Sequence, residues 1–320
     1  VERVGRHDNF FDLGGHSLLL IRFKQTLESK GKYVSLHDLY GNTTIRQLRR
    51  IVDGIGSYIK NDSHVVLIRP GKCDKKPLFF VHEVSGSIDS YMKLAGMLTE
   101  DVPVYGLVPR GEDGVFCQFS TIESLARKYV SKIKRVQPNG PYRMVGWSVG
   151  GVVGYEIARQ LTEEGEDIGL MAMIDSYCSG FSRVELPSRL DVFVKILEEV
   201  LGFNFNEKIF SDSGVCDESV VFSVLLEKGM IPSGVSFEDV YERAGFCRRL
   251  MSAVNSYRVP EVGFVPVLFS TSDINHGSEN SWRETSVVKP LVFHVGGNHQ
   301  NVLMEPYVKE VANHLARLIA

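Results

Sequence analysis

Two serines of this 320-residue chain stand in glycine-rich contexts, and the second has the surroundings of a nucleophile. Gly146, Ser148 and Gly150 form the pattern G-x-S-x-G between the strand-like segment "YRMV" and the helical segment "GVVGYEIARQL". Strand, pattern and helix together make a nucleophile elbow, a turn too tight for side chains at the glycine positions. The hydroxyl then projects at the helix N-terminus, where the amide of Val149 and the helix dipole can stabilise an oxyanion.

A histidine and a carboxylate that could activate Ser148 follow later strands. A serine becomes a good nucleophile when a histidine takes its proton and a carboxylate orients that histidine, and α/β-hydrolases carry them in the order Ser, Asp, His. His299 lies in "GGNHQNVL", after the last strand-like segment, and Asp175 lies at the end of "LMAMI". Asp273, after "VPVLF", holds a position that many hydrolases use for the acid, and the chain order allows either. The sequence predicts Ser148, His299 and Asp175, with Asp273 as the alternative acid.

A second oxyanion donor is expected in the loop after the strand "LFFV". This loop reads "HEVSGS", residues 82–87, and the amide of Val84 is the candidate. The plainer alternative is an ordinary connection between a strand and a helix. For Trp282, packing against the sheet is favoured over contact with a substrate. His294, in the strand-like segment "LVFHV", is expected to point into the packing of the sheet and to be structural.

The first serine lies in "FFDLGGHSLL", Phe10 to Leu19. Ser17 follows Gly14, Gly15 and a histidine at the point where a loop turns into a helix. A serine there could serve only as a helix cap. Capping does not call for two preceding glycines, however, and these leave room for a modifying enzyme to approach.

The elements that must position these residues change character near residue 60. From Ser17 to about Ile59 the apolar spacing is helical, as in "TIRQLRRIVDGIGSYI". After the polar stretch "KNDSH", seven apolar strands alternate with helices: "VVLI", "LFFV", "VYGL", "YRMV", "LMAMI", "VPVLF" and "LVFHV". This alternation predicts a mostly parallel α/β sheet, with a helical insertion between about 181 and 257.

The motifs together resemble a known family. "DNFFDLGGHSLL" looks like the attachment motif of a peptidyl carrier domain, and "GPYRMVGWSVGG" with "GGNHQNVL" resembles the type I thioesterase domain that ends nonribosomal peptide synthetases. The fold class implied is a small all-α helical bundle followed by an α/β-hydrolase fold with a helical lid. The domains expected are a carrier at 1–59, a linker at 60–64 and a thioesterase at 65–320, with the lid at about 181–257.

The resemblance also implies a chemistry for both serines. Ser17 would receive a 4'-phosphopantetheine arm from a phosphopantetheinyl transferase, with its phosphodiester near a helix N-terminus that favours anions. Upstream condensation and adenylation domains would supply a peptidyl thioester on that arm. Ser148 would accept the peptide as an acyl-enzyme and release it by hydrolysis or macrocyclisation.

Two departures from the family pattern stand out. A carrier domain has a further helix upstream of "VERVGRHDNFF", which this sequence does not include, so an apolar face of the remaining helices is expected to be uncovered. The oxyanion loop has Glu83 and Val84 where the family more often has proline and alanine.

Composition bounds the remaining classes. A net charge of −3 gives no sign of a nucleic-acid partner, and the sequence calls for neither a metal nor a nicotinamide cofactor. No apolar run reaches membrane-spanning length, no signal peptide is evident, and five scattered cysteines favour neither disulfides nor zinc, so a cytoplasmic protein is expected. The rival readings are a stand-alone carboxylesterase or lipase and a non-catalytic interaction module on the hydrolase fold.

Overall fold

The computed structural model describes residues 4–13, 20, 23, 26–27, 39, 42–52, 64–109, 115–178, 186–201, 217–231, 235–271 and 278–320. Their strands form one seven-stranded sheet in the order β1-β3-β2-β4-β5-β6-β7. The strands are β1 (Val65–Arg69), β2 (Leu78–Val81), β3 (Val104–Leu107), β4 (Tyr142–Trp147), β5 (Ile168–Ile174), β6 (Val267–Thr271) and β7 (Leu291–Val295). β1 pairs antiparallel with β3, and the other neighbours are parallel. The seven predicted strands and the α/β-hydrolase class are confirmed.

The described helices follow the strands in the expected alternation. They are α1 (Ile45–Val52), α2 (Met92–Met97), α3 (Ile122–Val136), α4 (Val149–Glu163), α5 (Arg189–Leu201), α6 (Glu218–Glu227), α7 (Phe237–Ser256), α8 (Ser278–Thr285) and α9 (Val308–Ile319), with a 3₁₀ turn at Asp89–Tyr91. Within the described ranges, no helix combines the length and the apolarity needed to cross a membrane.

The two faces of the sheet carry separate apolar cores because side chains alternate along a strand. In β2, Phe79 and Val81 join one core with residues of α3 and α4, whereas Leu78 and Phe80 join the other with residues of α2 and α9. Helices therefore cover both faces, and the active positions are left at the strand ends.

The described residues group into two compact units. One lies within Val1–Asn61 and Pro187–Gly245, and the other within Asp62–Leu186 and Phe246–Ala320. The first unit has a small core in which Leu20 and Leu39 are buried and Phe10, Phe11, Leu27 and Leu48 pack against them. Ile45, predicted on the apolar stripe of α1, is 48% exposed.

The part of the predicted helical insertion at about 181–257 that the structure describes is mostly helical. α5, α6 and α7 account for most of it, while residues 179–185, 202–216 and 232–234 lie outside the described residues. Its role as a lid stays a prediction.

Candidate active site

Ser148 stands in the turn between β4 and α4, in a backbone conformation that ordinary residues rarely adopt. Its φ is 56° and its ψ is −128°, and its amide donates to the carbonyl of Ile174 at 3.0 Å. The flanking glycines are obligatory. A Cβ on Gly146 would come within 2.1 Å of the Gly150 carbonyl oxygen, and one on Gly150 within 2.5 Å of the Val81 carbonyl oxygen. The tight turn predicted from G-x-S-x-G is therefore present, with the serine at the start of α4.

The structure brings Ser148, His299 and Asp175 into one hydrogen-bonded chain. His299 Nε2 lies 3.1 Å from Ser148 Oγ, and His299 Nδ1 lies 2.8 Å from Asp175 Oδ2. These contacts join the ends of β4 and β5 and the loop after β7. The geometry is that of a nucleophile, a base and an orienting acid.

Asp175 is fully buried and its second oxygen is also occupied. Asp175 Oδ1 accepts from the hydroxyls of Thr271 and Ser278, both at 3.1 Å, and from the Thr271 amide at 3.4 Å. Burial alone would raise the pKa of the Asp175 carboxyl. The hydrogen bond and charge of His299, with the bonds from Thr271 and Ser278, outweigh burial and hold this pKa below its ordinary value. Asp175 is thus held as a carboxylate facing the imidazole.

The loop after β2 carries the predicted second amide. Among the described residues, the amide of Val84 has no hydrogen-bond acceptor, and the amide of Val149 is the first of α4 and so has none within the helix. The neighbouring carboxylate of Glu83 accepts instead from Ser85 and Ser87. An oxyanion is stabilised by amides that have no other acceptor, so these two amides are the candidate donors.

Tyr91 links this loop to the elbow. Its buried hydroxyl donates to the Val81 carbonyl at 2.7 Å and accepts from the Trp147 amide at 2.6 Å. β2 and β4 are paired directly up to Val81 and Gly146. The Tyr91 hydroxyl therefore bridges the two segments just beyond their last direct pairing. Burial raises the pKa of Tyr91, which keeps the hydroxyl protonated and able to donate.

Aromatic rings surround the candidate base. The ring centroids of Trp147 and Tyr177 lie 5.3 and 5.7 Å from that of His299. Trp282 is fully buried and donates to the Ser176 carbonyl at 2.9 Å, so the expectation that it packs rather than meets substrate is confirmed.

Three expectations from the sequence need a further remark. Ser17 and the alternative acid Asp273 both lie outside the described residues. His294, which we expected to pack within the sheet, instead has a side chain 74% exposed and 3.6 Å from Glu279, because β7 is an edge strand.

Sequence reasoning missed Tyr91, Thr271 and Ser278 as residues that support the site, and it noted Glu83 only as a departure from the family pattern. The contacts of Tyr91, Thr271 and Ser278 join segments that are distant in the chain. The available signal was weak, a charged residue directly after the apolar run "LFFVH" and hydroxyls near strand ends.

Comparison with known protein families matches two regions of the chain. Residues 76–204 match the family model described as the thioesterase domain, and residues 1–52 match the one described as the phosphopantetheine attachment site. The two regions thus match, in chain order, the carrier and thioesterase families that the motifs resemble.

Curated relatives agree with this assignment. The chain is 38% identical to malpibaldin synthetase of Mortierella alpina over 178 residues, which is 55% of the chain and 3% of that synthetase. It is 36% identical to a dimodular nonribosomal peptide synthase of Bacillus subtilis over 197 residues, 61% of the chain and 8% of that protein. The chain thus spans a small fraction of the length of these relatives.

Solved structures share the fold. A four-domain nonribosomal peptide synthetase in its holo form, bound to AMP and glycine, matches with a TM-score of 0.71 at 23% identity, covering 99% of this chain and 25% of that one. The NocB thioesterase domain in covalent complex with a fluorophosphonate matches with a TM-score of 0.51 at 22% identity, covering 77% of this chain and 95% of that domain.

Proposed function

We propose that this chain releases a peptidyl group from its own carrier through an acyl-enzyme on Ser148. The observation that carries the proposal is the hydrogen-bonded chain from Asp175 through His299 to Ser148, with the serine held at a positive φ. When attached to Ser17, a 4'-phosphopantetheine arm supplies the thiol that carries the peptide as a thioester.

The proposed reaction proceeds in two halves. Ser148 Oγ attacks the thioester carbonyl while His299 Nε2 takes the hydroxyl proton. The amides of Val84 and Val149 stabilise the negative oxygen of the tetrahedral intermediate. The tetrahedral intermediate then collapses with cleavage of the carbon–sulfur bond, His299 returns the proton to the departing thiolate, and the peptide is left as an ester on Ser148. In the second half His299 activates water to give a free acid, or an amine or hydroxyl of the peptide to give a ring.

Asp175 keeps the imidazole in the tautomer that this sequence needs. With Nδ1–H donating to Asp175, Nε2 is the unprotonated nitrogen that faces Ser148. Because the pKa of Asp175 is lowered, the carboxylate stays ionised when the imidazolium forms.

The upstream partners belong to the same proposal. A phosphopantetheinyl transferase would modify Ser17, and condensation and adenylation domains would load the arm. A cytoplasmic location is part of the same proposal, because the five cysteines are scattered along the sequence and their spacing favours no disulfide framework.

Ser148→Ala tests the proposal directly. A wild-type chain loaded with a peptidyl arm at Ser17 should lose the peptide, and the Ser148→Ala chain should load equally but keep it, as measured by intact mass. Exposed Ser131 offers a matched control, since Ser131→Ala should release normally. Release by the Ser148→Ala chain above background would contradict the proposal. Failure of Ser17 to accept the arm from coenzyme A would favour the carboxylesterase reading, and a fluorophosphonate that leaves Ser148 unlabelled would favour a non-catalytic module.

The predicted linker gives a second test. Residues 60–64, "KNDSH", lie outside the described residues except for His64, and a flexible segment of five residues spans on the order of 12 Å. A tether of that length gives a millimolar effective concentration, so we expect release from the fused carrier to be about 10²-fold faster than from the same carrier supplied at micromolar concentration. Lengthening it modestly with Gly and Ser should slow release only slightly. Equal rates for the fused and the separate carrier would rule out tethering, and a collapse on lengthening would indicate a fixed dock.

A further inference from the structure

In the loop of residues 82–87, most backbone amides have a hydrogen-bond acceptor. The amides of His82, Glu83 and Gly86 donate to main-chain carbonyls, of Leu107, Ser87 and Glu83 in turn. The amides of Ser85 and Ser87 donate to the side chain of Glu83. Within the part of the chain that the structure describes, Val84 is left as the one amide of this loop without an acceptor.

The Glu83 side chain, within the loop, accepts several of these hydrogen bonds. Its side chain is 9% exposed, and it accepts from the Ser85 amide at 2.7 Å, from the Ser87 amide at 3.2 Å and from the Ser85 hydroxyl. Hydrogen bonds to an ionised acceptor are about twice as strong as neutral ones, and a buried carboxylate is costly without them. The carboxylate therefore fixes the backbone on the C-terminal side of Val84.

Gly86 also restricts the backbone conformation of this loop. Its φ is +82°, and a Cβ there would lie 2.7 Å from the Pro109 ring. The turn that carries the Ser85 and Ser87 amides to the carboxylate thus depends on a left-handed glycine.

We propose that Glu83 is a positioning residue for acyl transfer, whose carboxylate engages the amides of Ser85 and Ser87 and leaves the Val84 amide available to the oxyanion. This inference rests on the proposed function of Ser148 as the nucleophile. A carboxylate contributes no favourable charge to an oxyanion, so its role here is to hold the donor in place.

Glu83→Gln tests the proposal because it keeps the volume of the side chain but replaces one accepting oxygen by an NH₂ group. Loss of one oxyanion donor lowers kcat by about 10²–10³-fold, so a displaced donor should lower kcat for a simple ester about 10- to 100-fold. KM should change by less than about two-fold, because a donor to the oxyanion acts on the transition state. A boronic acid that forms a tetrahedral adduct on Ser148 should lose the same factor in affinity, while the matching carboxamide should bind as to the wild type.

Two control variants sharpen the test. Glu100→Gln, at an exposed carboxylate, should leave kcat and boronate affinity unchanged. Ser85→Ala removes only the hydroxyl donor, so it should give the same pattern at smaller amplitude, and it carries the test if Glu83→Gln does not fold.

Equal losses of boronate and carboxamide affinity would overturn the proposal, since they indicate a general disturbance of the site. Unchanged boronate affinity in the variant that folds would overturn it as well. A wild-type chain with no hydrolysis dependent on Ser148 would instead contradict the proposed function itself, so the two failures are distinguishable.

Discussion

Two buried carboxylates, each with a histidine nearby, lie at the carboxyl ends of β5 and β2, on either side of the strand that carries Ser148. Asp175 bonds to the imidazole of His299. Glu83 instead bonds to amides of its own loop, and the neighbouring His82 directs Nδ1 to the Glu83 carbonyl at 2.7 Å. The same pair of residue types therefore has two roles: Asp175 orients a histidine, whereas Glu83 holds the backbone of its own loop.

The surroundings of the two histidines explain the difference. His299 remains 15% exposed beside Ser148, so it can exchange protons with a substrate. His82 is fully buried, its ring packs edge-on against Tyr129 and Phe246, and its Nε2 has no partner among the described residues. Burial lowers the pKa of His82 to about 4, against the raising effect of its bond to the Glu83 carbonyl. A histidine that stays neutral and enclosed cannot act as a base for solvent-borne substrates.

The largest expected effect comes from Asp175→Asn. An asparagine favours the wrong imidazole tautomer, so kcat should fall by about 10⁴-fold with the fold retained. Release of a loaded peptide by single-turnover kinetics measures it. Asp273→Asn serves as the matched control and should cost little, and the reverse ranking would assign the acid to the segment after β6.

The next effect concerns His82 and the pH dependence of stability. Its pKa is lowered in the folded state, so the unfolded chain binds the proton first as pH falls. The contribution of His82 is then fully present above pH 6.5 and is lost between 6.5 and about 4, by roughly 3 kcal/mol. Urea unfolding at several pH values should give His82→Phe a smaller loss over this interval. The exposed His294→Gln should keep the wild-type slope, and a His82→Phe slope equal to the wild type would contradict the assignment.

A smaller effect is expected for Tyr91→Phe, which removes the hydroxyl that joins the end of β2 to the end of β4. The Val81 carbonyl and the Trp147 amide would each lose a partner, which costs about 2 kcal/mol of unfolding free energy. Tyr105→Phe, at a partly exposed ring stacked on Phe79, should be nearly neutral. Both are measured by urea unfolding at neutral pH. Equal stabilities of the two variants would mean that the Tyr91 hydroxyl adds nothing to the join between β2 and β4.

The smallest effect is expected for Ser278→Ala. Asp175 Oδ1 would keep Thr271 as a donor, so the loss should be about 1 kcal/mol, or less than about ten-fold in kcat. The kcat for hydrolysis of a simple ester, the assay named for Glu83→Gln, measures this loss. An effect as large as that of Asp175→Asn would mean that Ser278, rather than the carboxylate itself, holds the imidazole.

Much of the sheet could be predicted because its signals are local. Short apolar runs identified all seven strands, and G-x-S-x-G identified the elbow, since only glycine tolerates a carbonyl oxygen 2.1 Å from a Cβ position. His294 was misjudged because strand alternation does not reveal that β7 is an edge strand without helix cover at that position. Periodicity predicted the apolar stripe of α1, yet it did not reveal that Ile45 is exposed while Leu48 packs.

By itself the sequence determined the strand order along the chain, the strained serine and the glycine-rich carrier motif, because each depends on residues within a few positions of one another. Only the tertiary structure decided that Asp175 meets His299, 124 residues away, and that Glu83 clamps its own loop instead of facing a histidine. The physical reason is that a buried carboxylate pairs with the donors that lie within about 3 Å of it. For Asp175 the packing of segments distant in sequence sets those distances, whereas for Glu83 the turn through Gly86 sets them.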